Sequence, residues 1–126
     1  MCKLLIQNGA NVNEQNIHGF TPLHGLINVE IVQLLIKNGA NVNAKANNGW
    51  TPLLYASKNH QLEVAKLLIE NAAQVNDKCP QFQYTPLHFA VYKKEKIQLE
   101  LIKILVHNGA NVNAQNNHGW TVVHYV

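Results

Sequence analysis

The six residues NGANVN occur at Asn8–Asn13, at Asn38–Asn43 and at Asn108–Asn113, and a looser copy, NAAQVN, sits at Asn71–Asn76. Each copy is preceded by an apolar run: KLLIQ, VQLLIK, AKLLIE and IKILVH. Each is followed, after a polar stretch, by a Thr that opens a second apolar run: TPLHGL from Thr21, TPLLYA from Thr51, TPLHFA from Thr85 and TVVHYV from Thr121. Successive frame threonines stand 30, 34 and 36 residues apart. Self-similarity at this period confines the chain to a stacked array, in which each unit buries its apolar face only against its neighbours.

Each part of the unit has a physical reading. Thr before Pro predicts a helix start: the hydroxyl caps, and Pro at the first helical position lacks an N–H that would have no partner there anyway. A second helix follows, with apolar residues at helical spacing: Ile31, Leu34 and Leu35; Val64, Leu67 and Leu68; Leu101, Ile104 and Leu105. Gly9, Gly39 and Gly109 then arrive where that helix must stop, the place for left-handed backbone. Ala72 takes this place in the third copy, at a cost in strain. The Asn side chains suit bonds to local backbone in the turn, and Asn-Gly segments such as AKANNGW predict a hairpin-like loop.

This unit resembles the ankyrin repeat, whose period is about 33 and whose motif is Thr-Pro-Leu-His-x-Ala. Thr85–Ala90 matches that motif in full and Thr21–His24 its first four letters, and Leu34–Asn43, LLIKNGANVN, looks like the family's second-helix ending. The resemblance covers essentially the whole chain. It implies an all-α repeat solenoid, in which antiparallel helix pairs are joined by β-hairpin-like loops. It also implies partners bound on the concave face formed by the hairpin tips and first helices. On this framing residues 1–126 form one domain, with units at about 1–15, 16–45, 46–79, 80–115 and 116–126, the first and last partial.

The chain departs from the pattern in several places. The second unit is three residues short between Thr21 and Gly39, and Leu26 and Ile27 stand where the family usually has two Ala. The fourth is three residues longer than usual between Thr85 and Gly109, with the excess around Tyr92–Gln98. The linker Asp77–Thr85 is one residue longer than its counterparts and lacks the Gly found at Gly19, Gly49 and Gly119, while Pro80 and Phe82 replace a small polar tip. This irregular junction fits either a binding site or drift in a tolerant loop. The apolar ends, with Leu4, Leu5, Val122, Val123 and Val126, suit end-to-end self-association or a place within a longer array.

Chemistry finds little support. His24, His88 and His124 belong to the repeat frame, where the resemblance implies that they bond backbone and the Thr hydroxyl and so tie repeats together. Leu54 replaces that His in the third unit, which a shared catalytic or metal role would not tolerate. His18 and His118 sit three repeats apart, too far to share a metal, and His60 and His107 have no ligand at metal spacing. Cys79 and His88 lack an accompanying oxyanion feature. We therefore expect no enzyme activity, no cofactor and no metal.

The net charge of +3, with ten Lys and no Arg, argues against specific nucleic-acid recognition, and Lys93, Lys94 and Lys96 are interrupted by Glu95. No apolar run reaches membrane-spanning length, and the two cysteines, Cys2 and Cys79, read as free thiols of a reducing, intracellular compartment. The Asn-, Lys- and Ile-rich, Arg-free composition suits AT-rich coding. With the family resemblance, that suggests a bacterial effector delivered into a host cell's cytosol.

One constellation remains. The residue before each frame Thr is aromatic: Phe20, Trp50, Tyr84 and Trp120. By resemblance this position lies on the hairpin stem and faces the groove. The four rings then form either a half-exposed stripe for a protein partner or covers for their own stems. The tips Ile17, His18, Asn47, Asn48, Gln81, Phe82, Asn117 and His118 flank them. The expected function is a protein–protein interaction scaffold, with the alternative of a segment that positions another domain of a larger polypeptide.

Overall fold

The computed structural model describes residues 9–25, 28–92 and 98–125. The readings made at Cys2, Leu4, Leu5, Leu26, Ile27, the lysines of the 93–97 stretch and Val126 lie outside them. Among the described residues the chain forms five α-helices: α1 Val29–Lys37, α2 Pro52–Lys58, α3 Leu62–Glu70, α4 Pro86–Val91 and α5 Leu99–His107. A short 3-10 helix, Val122–Tyr125, follows them.

The frame threonines start the first helices as their chemistry dictates. The Thr51 hydroxyl accepts from the Leu54 N–H and the Thr85 hydroxyl from the His88 N–H, with Pro52 and Pro86 in the first turn. After Thr21 the shortened unit makes a turn through Pro22–Gly25 instead of a helix. Gly25, at φ +98°, reverses the chain there, and Asn28 caps α1 by accepting from the Glu30 and Ile31 N–H groups. In the lengthened unit the start of α5 is anchored from two sides. The Gln98 N–H donates to the Ala90 carbonyl at 3.0 Å and its side-chain amide to the Ser57 carbonyl at 2.9 Å.

The helices stand in two rows. α2, α4 and the 3-10 helix pack side by side, as do α1, α3 and α5, while α2 lies on α3 and α4 on α5. The apolar spacing of the second helices supplies the seam between the rows: Leu35, Leu68, Leu101 and Leu105 meet Leu23, Leu53 and Leu87, all buried. Each such side chain contributes about 1.5–3 kcal/mol through burial.

The repeated hexapeptide is a helix exit. Gly9, Gly39 and Gly109 take φ near +90°, and Ala72 takes +71° at the matching place. Part of the Asn content bonds locally as expected. Asn38, Asn71 and Asn108 donate to the carbonyls four residues back, and the Asn11, Asn41 and Asn111 side chains accept from the N–H two residues on. The last Asn reaches further. Asn13 donates to the Gly39 carbonyl at 3.1 Å and accepts from the Asn41 N–H at 2.7 Å, and Asn76 does the same with Gly109 and Asn111. No strand forms among the described residues; the hairpin-like loops are single closed turns.

Candidate functional site

Four loops line up beside the row of first helices. Each is closed by one backbone bond across its stem, Asn16 to Phe20, Ala46 to Trp50, Cys79 to Tyr84 and Asn116 to Trp120, with N···O distances of 2.9–3.0 Å. Asn16 and Asn116 each turn their side-chain oxygen onto two N–H groups of their own loop, and the Asn48 side chain accepts from the Trp50 N–H. Neighbouring loops are then clamped. Asn47 donates its N–H to the His18 carbonyl at 2.8 Å and its side-chain amide to the Ile17 carbonyl at 3.1 Å. Asn117 makes the same pair with Phe82 and Gln81, at 3.1 and 2.6 Å.

The junction between the second and third loops is built differently. Pro80 stands where Asn47 and Asn117 stand, and Pro has no N–H to donate. Its ring instead lies over Gly49, where an added Cβ would be 2.5 Å from Pro80 Cγ. The third loop also holds an extra residue, and Gln83, at φ +57°, does the turning done elsewhere by Gly19, Gly49 and Gly119. The result leaves Phe82 52% exposed.

The four frame aromatics do not share one environment. Phe20 and Tyr84 are half-buried and Trp120 is 47% exposed, but Trp50 is only 4% exposed. Of the two arrangements open to these rings, a half-exposed stripe does not extend to Trp50. The cause is a small second core beneath the loops, in which Trp50 meets Leu54, Cys79 and Phe89, with Tyr55 and Tyr84 at its edge. Leu54, standing where the other units carry His, supplies part of it.

The rings still form one chain of contacts. Phe20 lies 5.8 Å from Tyr55, Tyr55 4.8 Å from Trp50, Trp50 5.3 Å from Phe89, and Phe89 5.3 Å from Tyr84. Tyr84 continues to Phe82 and Tyr92, each at 5.6 Å. Tyr55, Lys58, Phe89 and Tyr92 were not singled out in the sequence. Their signal was available, since they stand four and seven residues after Thr51 and Thr85, on one face of a helix. Together with Phe82 and Tyr84, Lys58, Phe89 and Tyr92 surround a cavity of about 300 Å³ between the third and fourth repeats. His18, Phe20, Asn47 and Asn48 line a separate depression of about 320 Å³. Asn117, His118 and Trp120 lie past the first cavity, at the fourth loop.

The frame histidines are structural. Thr21 donates its N–H to His24 Nδ1 at 2.9 Å, which leaves Nε2–H to donate to the Trp50 carbonyl at 3.1 Å in the next repeat. His88 repeats this with the Thr85 N–H and the Trp120 carbonyl. Burial pushes both imidazoles below their ordinary pKa, against the opposing pull of those carbonyl bonds. With both ring nitrogens of His88 engaged and Cys79 a fully buried thiol, the two do not make a nucleophile–base pair. Among the described residues no cluster of His, Cys, Asp or Glu has the geometry to hold a metal ion, and no helix is long and apolar enough to cross a membrane.

The family model for ankyrin repeats, in three copies, matches residues 1–79, and that for a single ankyrin repeat matches residues 82–117. No curated protein matches the chain.

Proposed function

The chain belongs to the ankyrin-repeat family, and on that premise we propose that it is a protein-interaction scaffold that binds a partner protein along the face made by its loop tips and first helices. Ankyrin repeats mediate protein–protein contacts, and the family is one of non-catalytic scaffolds. The observation that carries the proposal for this chain is the run of ring contacts from Phe20 to Tyr92, which passes through the buried Trp50 and Phe89 and reaches the surface around Phe82 and Tyr92. Phe82 and Tyr92 emerge from it half-exposed, and Ile17 and Trp120 flank it. Aromatic side chains offer large contact area at low entropic cost, and Trp and Tyr are enriched at binding hot spots. Backbone bonds tie the first loop to the second and the third to the fourth, which reduces the ordering cost of binding. His18, Asn47, Asn48, Gln81, Asn117 and His118 would set specificity around the rings. The same reading places the scaffold inside a cell, a host cell's cytosol included. Its support is the unpaired Cys79 thiol and the Lys-, Asn- and Ile-rich, Arg-free composition.

The test is a photo-crosslinking side chain placed at Phe82 and, separately, at Lys103 on the second-helix row. A partner captured through position 82 and not through 103 supports the scaffold reading. Equal capture at both positions, or none at either, removes it.

A second reading, stacking of copies end to end, is favoured by Val123 at 70% exposure beside the exposed Trp120. A rise in scattering mass with concentration that Val123→Glu abolishes would support it, and a constant monomer mass would exclude it.

A further inference from the structure

We propose that the cavity between the third and fourth repeats takes one aromatic side chain of an extended, acidic peptide segment, with a neighbouring carboxylate of that peptide held by Lys58. The inference rests on the scaffold reading and names its partner's chemistry.

Three observations meet at this cavity. Its walls carry the rings of Phe82, Tyr84, Phe89 and Tyr92, with Lys58, Asn59 and His60 completing them. Tyr84 meets Phe89 at 72° and Tyr92 at 55°, so the rings enclose a space and do not close it by stacking. A guest ring can meet such walls edge to face, the geometry aromatic pairs prefer. The volume of about 300 Å³ stands at the small end of ligand sites and suits a single side chain better than a whole folded element.

The second observation is charge. Among the described residues that line the cavity, Lys58, with His60 beside it, is the one Lys, Asp or Glu. Its ammonium stands 5.2 Å from the centre of the Trp50 ring, a cation–π contact that holds the charge at the rim. A positive charge at the rim favours an anionic partner over a cationic one.

The third is construction. The cavity coincides with the chain's departures from its own repeat: Leu54 for His, Pro80 for a donating Asn, and the extra residue of the third loop. Leu54 and Cys79 fix Trp50 beneath Lys58, and the long loop sets Phe82 at the mouth. The depression at Phe20 and Asn47, similar in volume, has no Lys on its wall.

The experiment uses the full chain, labelled with nitrogen-15, and three capped pentapeptides: Gly-Asp-Phe-Asp-Gly, Gly-Asp-Ala-Asp-Gly and Gly-Lys-Phe-Lys-Gly. The first should shift the amide signals of Lys58, Phe82, Tyr84, Phe89 and Tyr92, and bind at least about tenfold more tightly than the other two. Lys58→Glu, at an exposed position, should reverse the preference between the Asp- and Lys-flanked peptides, and Phe82→Ala should weaken both. Equal affinity for the two charge types overturns the proposal. So does a capped single Phe that binds as well as the acidic peptide, which would make this a small-molecule site. Shifts confined to the loops around Phe20 or Trp120 overturn the pocket while leaving the scaffold reading in place. A complete absence of shifts overturns the pocket alone, because crosslinking at position 82 judges the scaffold reading separately.

Discussion

The side-chain amide of Asn43 donates to the carbonyl of Ala72 at 3.2 Å, 29 residues along the chain, while its oxygen accepts from the Gln74 N–H at 2.8 Å. Asn13 and Asn76 hold their next repeats in the same way. The repeated hexapeptide thus ends one helix with its Gly and fastens the following repeat with its last Asn. A primary amide is suited to this, because it offers a donor and an acceptor side by side to one backbone N–H and one C=O.

Asn43→Ala removes both bonds of one clamp and should cost about 1–2 kcal/mol. Asn113→Ala, at the equivalent position of the fourth exit, should stay within about 0.5 kcal/mol. The urea midpoints of the two variants decide it. Equal losses would mean that the clamp contributes nothing beyond the local turn.

Stability should fall on mild acidification. Burial holds the His24 and His88 pKa values below the ordinary value. The unfolded chain therefore binds protons at these sites at a higher pH than the folded one. Their contribution is fully present above the unfolded value of about 6.5 and is lost as pH drops from there through the folded pKa. A protonated Nδ1 would also present an N–H to the Thr21 or Thr85 N–H, and so lose its acceptor role. Urea midpoints at pH 7.5 and 5.5 should differ, and the difference should shrink in His88→Ala. That variant should itself cost about 2–3 kcal/mol at pH 7.5, since it leaves the Thr85 N–H and the Trp120 carbonyl without the ring.

Ala72→Gly should stabilise the protein by about 0.5–1 kcal/mol. The residue sits at φ +71°, where the other exits carry Gly, and relief of left-handed strain exceeds the added chain entropy of Gly. Gly49→Ala should do the reverse and by more, because it combines φ +83° with a Cβ 2.5 Å from Pro80 Cγ. Gly39→Ala, at φ +89° with open space around it, isolates the strain alone. Thermal melts should place Ala72→Gly highest, Gly39→Ala between and Gly49→Ala lowest.

Trp50→Ala should cost about 3–5 kcal/mol, because the ring fills the second core. Trp120→Ala, at 47% exposure, should cost less than about 1 kcal/mol. The pair separates a stabilising ring from one available to a partner, although both precede a frame Thr. Similar melting temperatures for the two variants would contradict the burial difference.

Much of the fold was legible because it is written locally. A Thr-Pro start, a helical apolar spacing and a Gly exit each act within a few residues, and their repetition at a near-constant period leaves stacking as the arrangement that buries every apolar face. Ala72 was readable as a strained exit for the same reason. The frame histidines were readable through the family resemblance. The turn that replaces a first helix after Thr21 was less visible: TPLHGL carries the same start signal as its sister copies, and only Gly25 at φ +98° marks the reversal.

The candidate site divides along the same line. The sequence by itself determined that an aromatic stands at Phe20, Trp50, Tyr84 and Trp120, because the frame puts them at one position of the unit, and it marked the Asp77–Thr85 junction as irregular. Only the tertiary structure decided which rings face solvent. Exposure depends on what packs over each ring: Phe89 of the next repeat joins Leu54 and Cys79 over Trp50, while the longer third loop sets Phe82 out beside Tyr84 and Tyr92. Cys79 and Phe89 lie roughly a repeat beyond Trp50 in sequence, so its burial is decided by packing between repeats, which no single unit encodes.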